Sequence, residues 1–208
     1  MLLDSVVRTS AAVAAAPGRL AKIDHIAQVL QEVPPPEIGV AVSFLSGDLT
    51  QRQIGVGYAA LSDLMGGFGP APVPAGLAQP GVGPPPAAPE LTLTETDAAL
   101  GQIGALAGQG SQAERRSLLA SLLNRATEDE RRFQVRQLGG DLRQGALDGV
   151  MTDAIARAAA VPAADVRRAY QLSGSLADAA SAALGARGDA QVGRQSFHRL
   201  YTKSRARG

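Results

Sequence analysis

The chain has 208 residues, 45% of them apolar, which is enough for one ordinary domain or for two small ones with cores of their own. It has no cysteine, and His25 and His198 are its only histidines, so disulfides, thiolate chemistry and a local metal motif are excluded. The net charge of +1 indicates no acidic partner, and no segment resembles a membrane span or a signal peptide, so we expect a cytoplasmic protein with no membrane partner.

The first predicted unit is a helical lobe over residues 1–65. Four stretches carry apolar residues at helical spacing, near 2–15, 17–32, 35–45 and 54–64. The apolar face of the second stretch consists of Leu20, Ile23, Ala27 and Leu30. Only residues 40–45 resemble a strand, and a single strand has nothing to pair with, so we predict a helix there as well.

A break in composition at residues 66–90 follows the first lobe. The segment contains eight prolines and six glycines and almost no charge. Proline fixes φ and lacks an amide proton, so neither helix nor sheet propagates, and we predict an irregular linker. The alternative, a polyproline ligand for a partner domain, lacks a clear P-x-x-P cluster with a flanking arginine.

A second helical lobe is predicted over residues 91–186. The sequences at 111–114 and 127–130 both read S/T-x-x-E, the pattern of a capping box, and each is predicted to open a helix. The apolar stripe after the first box consists of Leu118, Leu119, Leu122 and Leu123. Pro162 suits a first helical position, and no stretch alternates as a strand does. We therefore predict an all-α protein.

One phrase occurs in both lobes. Residues 45–51 (LSGDLTQ) recur 93 residues later as 138–144 (LGGDLRQ), and further glycines follow each copy. Glycine permits positive φ and a close approach of another backbone, and the next helix N-terminus offers amides to an anion such as phosphate. A helix C-cap repeated by duplication explains the same glycines, and the sequence leaves both interpretations open.

Three segments of the sequence carry a resemblance to a known family: 44–57, 138–145 and 19–23. They resemble the N-terminal DNA-binding domain of ATP-dependent DNA ligases, most closely the actinobacterial type. The resemblance covers roughly residues 1–186. It implies two pseudo-symmetric helical halves, 1–65 and 91–186, that clamp nicked duplex DNA across the minor groove, with a turn of each half near the DNA backbone. The positions that it assigns to DNA contact are Gly139, Gly140, Arg143 and Gly145, and in the pseudo-symmetric turn Gly47, Arg52, Gly55 and Gly57.

The catalytic lysine motif of ligases, K-x-D-G, is missing. Of the two lysines, Lys22 stands in K-I-D-H within a predicted helix, and Lys203 is followed by neither the aspartate nor the glycine. We predict no catalytic residue, metal site or cofactor in this chain. The resemblance implies that ATP and Mg²⁺ belong to a nucleotidyltransferase domain, which another chain would supply.

Two further motifs are interpreted as structural. Residues 55–60 match G-x-G-x-x-A, but no apolar strand precedes them, so a dinucleotide site is not expected. The acidic residues 128–130 suit the exposed amides of a helix start better than a metal site.

The final segment, 187–208, is a basic tail with six basic and one acidic side chain. Residues 198–204 faintly resemble the stretch after the adenylation lysine of full-length ligases, and such a tail also attracts nucleic acid by charge alone. The leading hypothesis is a module for duplex or nicked DNA in repair, replication or recombination. The alternative is a helical scaffold or interaction protein derived from a truncated ligase, which the net charges of −3 for residues 1–90 and −1 for 91–186 favour.

Overall fold

The computed structural model describes residues 1–48, 82–140 and 147–185, and this part of the chain is all-α, as predicted. It contains nine α-helices and a 3₁₀ turn at Pro35–Glu37, and its only strand-like pairing is one antiparallel bridge between Leu2 and Thr92. The helices are α1 Leu3–Ala15, α2 Arg19–Glu32, α3 Ile38–Ser46, α4 Leu93–Ala105, α5 Ser111–Asn124, α6 Glu128–Gly139, α7 Leu147–Ala159, α8 Ala163–Ser173 and α9 Leu176–Leu184.

The first three predicted helices are confirmed as α1, α2 and α3. The strand-like residues 40–45 lie within α3 and are buried except at position 40, which is half-buried. The helix predicted at 54–64 and most of the predicted linker lie outside the described residues. Residues 82–90, the described end of that linker, have neither helical nor strand structure.

Two capping boxes open described helices, and one of them was predicted. Thr127 accepts the Glu130 amide at 3.4 Å, and the Glu130 carboxylate accepts the Thr127 amide at 2.8 Å. The box predicted at Ser111 is wrong, because Gly110 precedes it with φ 86 and makes Ser111 the first helical residue, with no side chain capping α5. The second box, at Thr92, was not predicted; Thr92 accepts the Glu95 amide at 3.2 Å.

Among the described residues, one compact unit combines Met1 and residues 5–48 with residues 147–185. Its helix α2 packs on α7, α3 packs on α9, and α8 packs on both α7 and α9. Gly39 lies where α3 and α9 approach closely, and a Cβ there would be 3.2 Å from Ser181 Oγ, which is tighter than an ordinary van der Waals contact. The core is built from aliphatic side chains and one aromatic ring, including Ile26, Leu30, Val42, Phe44, Met151 and Ile155.

The other compact unit combines residues 2–4 with residues 82–140. Its helices α4 and α5 pack together, and their buried residues include Leu100, Ile103, Leu119 and Leu123. The Leu3 amide donates to the Leu91 carbonyl at 2.8 Å. These units differ from the predicted division at residues 66–90, which groups α7, α8 and α9 with α4, α5 and α6. Helical periodicity identifies the apolar face of a helix but not the helix that covers it.

Candidate nucleic-acid interface

The turn after α6 is the described part of the segment that the resemblance assigns to DNA. Gly139 is the last residue of α6 and is exposed, and Gly140 follows with φ 81 and ψ 6, in the left-handed region. The Gly140 amide donates to the carbonyl of Gln137 at 3.2 Å and also to that of Arg136. This amide therefore ends the helix and is not available to a phosphate.

The repeated phrase has the same backbone geometry at its first copy. Gly47, the counterpart of Gly140, follows α3 with φ 76 and ψ 8. It is buried, and its exposed neighbour Asp48 donates its amide to Ser46 Oγ at 3.4 Å. Both copies therefore use the central glycine as a left-handed helix C-cap, which supports the structural interpretation of these two glycines.

The other five predicted contact positions lie outside the described residues: Arg143 and Gly145 in the second turn, and Arg52, Gly55 and Gly57 in the first. The structure consequently locates the start of each turn and leaves the contact assignments of these five residues as predictions.

The helix after the second turn carries an acid near its start. Asp148 lies in the first turn of α7, and its carboxylate accepts a hydrogen bond of 3.4 Å from the Tyr170 hydroxyl. Burial raises the pKa of Tyr170, and the negative charges of Asp148 and Asp48 raise it further. A phosphate at this helix N-terminus would meet the Asp148 carboxylate, so the amides of α7 are a less favourable anion site than the sequence indicated.

The inner face of α6 is unusually polar. Four of its side chains are at least 96% buried: Glu130, Arg131, Gln134 and Gln137. Arg131 donates to the carbonyls of Leu123 and Gly83, both at 2.8 Å, and burial lowers its pKa. In the described structure neither amide atom of Gln134 or Gln137 has a hydrogen-bond partner. Sequence patterns gave no signal for this burial, since glutamine usually lies on the exposed face of a helix.

Arg19 is the first residue of segment 19–23, which also carries the resemblance, and its guanidinium is bound within the chain. Arg19 donates to Asp153 at 2.7 Å and to the Gly149 carbonyl at 2.9 Å, which joins α2 to α7. Arg167 of α8 donates to the other oxygen of Asp153 at 2.7 Å. Lys22 lies in α2, where the sequence placed it, and in the same helix Asp24 pairs with Arg157.

The described residues have neither a metal-binding cluster nor a membrane-spanning helix. They contain no group of three or more histidine, aspartate or glutamate side chains placed to hold a metal ion. None of their helices combines the length and the apolar character that crossing a bilayer requires.

The described part of the chain is thus an all-α module in which three helices end at a left-handed glycine, and two of these glycines, Gly47 and Gly140, lie in the repeated phrase. Residues 79–156 match the family described as DNA ligase N terminus. The chain is 50% identical over 184 residues to a probable DNA ligase of Mycolicibacterium gilvum, which covers 88% of this chain and 32% of that protein. It is 48% identical over 187 residues to DNA ligase B of Mycobacterium tuberculosis, with coverage of 88% and 33%.

These matches confirm the resemblance to the N-terminal domain of DNA ligases that the sequence indicated. The chain spans about a third of the length of the curated relatives that it matches. The matches support a role related to DNA ligases. They do not identify the residues that perform this role.

Proposed function

We propose that this chain is a DNA-binding module of ATP-dependent DNA ligase type, which clamps nicked duplex DNA through its phosphate backbone. The observation that carries the proposal is the match of 88% of the chain to DNA ligases at 48–50% identity. Gly47 and Gly140 end their helices with the same left-handed geometry, and the proposal assigns the DNA contacts to the residues around and after these caps. The module would serve DNA repair, replication or recombination.

The proposed contacts follow from the chemistry of the turn residues. Arg143 stands between Gly140 and Gly145, and a guanidinium forms paired, charge-assisted hydrogen bonds with phosphate oxygens. Gly139 is exposed and allows a close approach of the DNA backbone, and Gly140 shapes the turn by ending α6. Because such contacts read phosphates rather than bases, little sequence preference is expected.

The first turn would contribute in the same way through Arg52, Gly55 and Gly57. Gly47 is buried, so its part in the proposal is to end α3 and direct the chain into that turn.

Ligation itself would need the nucleotidyltransferase domain that ATP-dependent ligases carry, with ATP and Mg²⁺. Without a K-x-D-G lysine, this chain should acquire no covalent AMP when incubated with labelled ATP and Mg²⁺. Labelling that disappears in Lys22→Ala would contradict this assignment, because it would make Lys22 an adenylated nucleophile.

A second candidate function is a helical scaffold or interaction protein derived from a ligase. The observation that favours it is the engagement of cations by acids, since Arg19 and Arg167 both bind Asp153 and Arg157 binds Asp24. Cations held in this way contribute less to an electrostatic attraction for DNA.

The distinguishing experiment measures binding of the full chain to a nicked duplex by fluorescence anisotropy at several salt concentrations. We expect a Kd of roughly 10⁻⁴–10⁻⁶ M at physiological salt, rising as salt increases because counterions are released. Arg143→Ala should weaken binding. Arg167→Ala is the matched control, because it removes the same charge from a position that is already paired with Asp153.

A chain ending at Ala186 separates the turn from the basic tail. If the shortened chain binds the duplex as tightly as the full chain does, and Arg143→Ala weakens binding, then binding depends on the turn. If only removal of the tail abolishes binding, the tail acts by charge alone and the proposed contacts are wrong. If the full chain shows no salt-dependent binding even at high micromolar concentration and low salt, the scaffold function takes the place of DNA binding.

A further inference from the structure

The outer face of α6 leads directly to the turn after that helix. Arg132, Arg136 and Gly139 are all exposed and are spaced four and three residues apart, so they lie on one face of the helix. The exposed acids of α6, Glu128 and Asp129, lie in its first turn, and Arg136 is the basic residue of its last turn. Positive charge on this face therefore increases toward Gly139.

Arg136 differs from the other arginines in the described part of its unit. Residues 82–140 contain six arginines: Arg115, Arg116, Arg125, Arg131, Arg132 and Arg136. Five of them are engaged with carboxylates, backbone carbonyls or other groups within the chain. Among the described residues, Arg136 has no hydrogen bond or ion pair from its guanidinium, and it is exposed.

The backbone holds Arg136 at a fixed position relative to the turn. Its carbonyl accepts the amide of Gly140, so the two residues are joined across the last turn of α6. Arg136 and Gly139 are three residues apart within α6, and such pairs are neighbours about 5–6 Å apart on the helix surface, which is within the reach of an arginine side chain. A guanidinium on this face can therefore reach a phosphate that lies against Gly139 or Gly140.

We infer that Arg136 is a phosphate contact for duplex DNA, on the α6 side of the turn that contains Arg143. The inference rests on the proposed function and adds a residue that neither the repeat nor the resemblance indicated. Charge complementarity supports DNA as the partner, because the DNA backbone offers the paired anionic oxygens that an unengaged guanidinium binds best. Arg132, whose guanidinium is held by Glu128 at 2.9 Å, is expected to contribute less.

A simpler role for Arg136 is stabilisation of the helix C-terminus, where a cation is favourable. The two roles make different predictions. Helix stabilisation changes the unfolding temperature and leaves DNA binding alone. A phosphate contact changes the salt dependence of DNA binding, because each lost contact reduces the slope of log Kd against log salt by about 0.9.

The experiment compares Arg136→Gln with Arg125→Gln in the full chain, using a nicked duplex over a series of salt concentrations. Arg125 is exposed and pairs with Glu95, so Arg125→Gln loses the same charge from a different surface. Arg136→Gln should weaken binding several-fold and lower the slope by about 0.9, whereas Arg125→Gln should leave the slope unchanged. Arg136→Lys should retain the slope and lose part of the affinity, because ammonium binds phosphate as a point charge.

The inference is overturned if Arg136→Gln binds like the parent chain while Arg143→Ala is impaired; the proposed function then stands without this contact. It is also overturned if both glutamine variants lower the slope equally, since that outcome reflects total charge. Failure of the parent chain to bind any duplex overturns the proposed function together with the inference. Thermal unfolding of each variant, followed by circular dichroism, confirms that the compared proteins are folded.

Discussion

Replacement of Gly140 by alanine separates the conformational role of this glycine from a role in close packing. A Cβ at Gly140 would have nothing within 4 Å, so alanine meets no steric obstacle there. The backbone has φ 81, however, and the left-handed region disfavours alanine by about 1–2 kcal/mol. We therefore expect Gly140→Ala to lower the free energy of unfolding by about 1–2 kcal/mol. For a chain of this size, each kcal/mol lowers Tm by about 2–4 °C.

Urea and thermal unfolding, followed by circular dichroism, measure this effect. Gly140→Asn should lose less stability, because asparagine tolerates the left-handed region better than alanine does. Gly139→Ala is the matched control: Gly139 is the last residue of α6, where alanine favours the helix, so its stability should be unchanged or slightly raised. The reasoning is refuted if Gly140→Ala is as stable as the parent chain, or if Gly139→Ala is the more damaging change.

The other stability predictions concern the helix caps and the buried amides. Thr127→Ala should lower the free energy of unfolding by about 1 kcal/mol in urea titrations, and Ser111→Ala, which removes no cap, should change it by less than about 0.5 kcal/mol. Hydrogen bonds from Arg125 and Thr92 lower the pKa of Glu95 from 4.5 to about 2, so its stabilising contribution is complete above pH 4.5 and is lost as the pH falls toward 2. Glu95→Gln should flatten the loss of stability over that interval, and an unchanged pH profile would show that the pair does not form. Gln134→Leu should raise the unfolding temperature, because it replaces a buried amide that has no partner among the described residues by an apolar group of similar size. A lower unfolding temperature would mean that the amide is hydrogen-bonded in solution.

Local patterns predicted the helices well and their starts less reliably. The spacing of apolar residues predicted α1, α2 and α3, and the Thr127 pattern predicted the start of α6. The same pattern failed at Ser111, because the positive φ of Gly110 moves the helix start by one residue. The same S/T-x-x-E pattern occurs at Thr92, where it was not predicted to open a helix. There Thr92 and Glu95 form a complete capping box directly after the proline-rich segment.

The spacing of apolar residues could not predict which helices pack together. Leu20 was predicted to join the apolar face of α2 but is 67% exposed, whereas Ile23, Ala27 and Leu30 are buried. The burial of Gln134 and Gln137 was not predicted either, since the spacing of apolar residues does not indicate which polar side chains are buried. In the candidate interface, the repeat predicted two equivalent turns, and the structure shows equivalent geometry at the glycine that begins each one.

The most direct test of the central claim is an NMR titration of the isotopically labelled full chain with a nicked duplex. We expect the largest backbone amide shifts at residues 139–145 and smaller shifts at 52–57, and we expect added salt to reverse them. Arg143→Ala should reduce the shifts at 139–145. Shifts confined to residues 187–208, or none at saturating duplex and low salt, would contradict the claim that this chain grips DNA through its repeated turns.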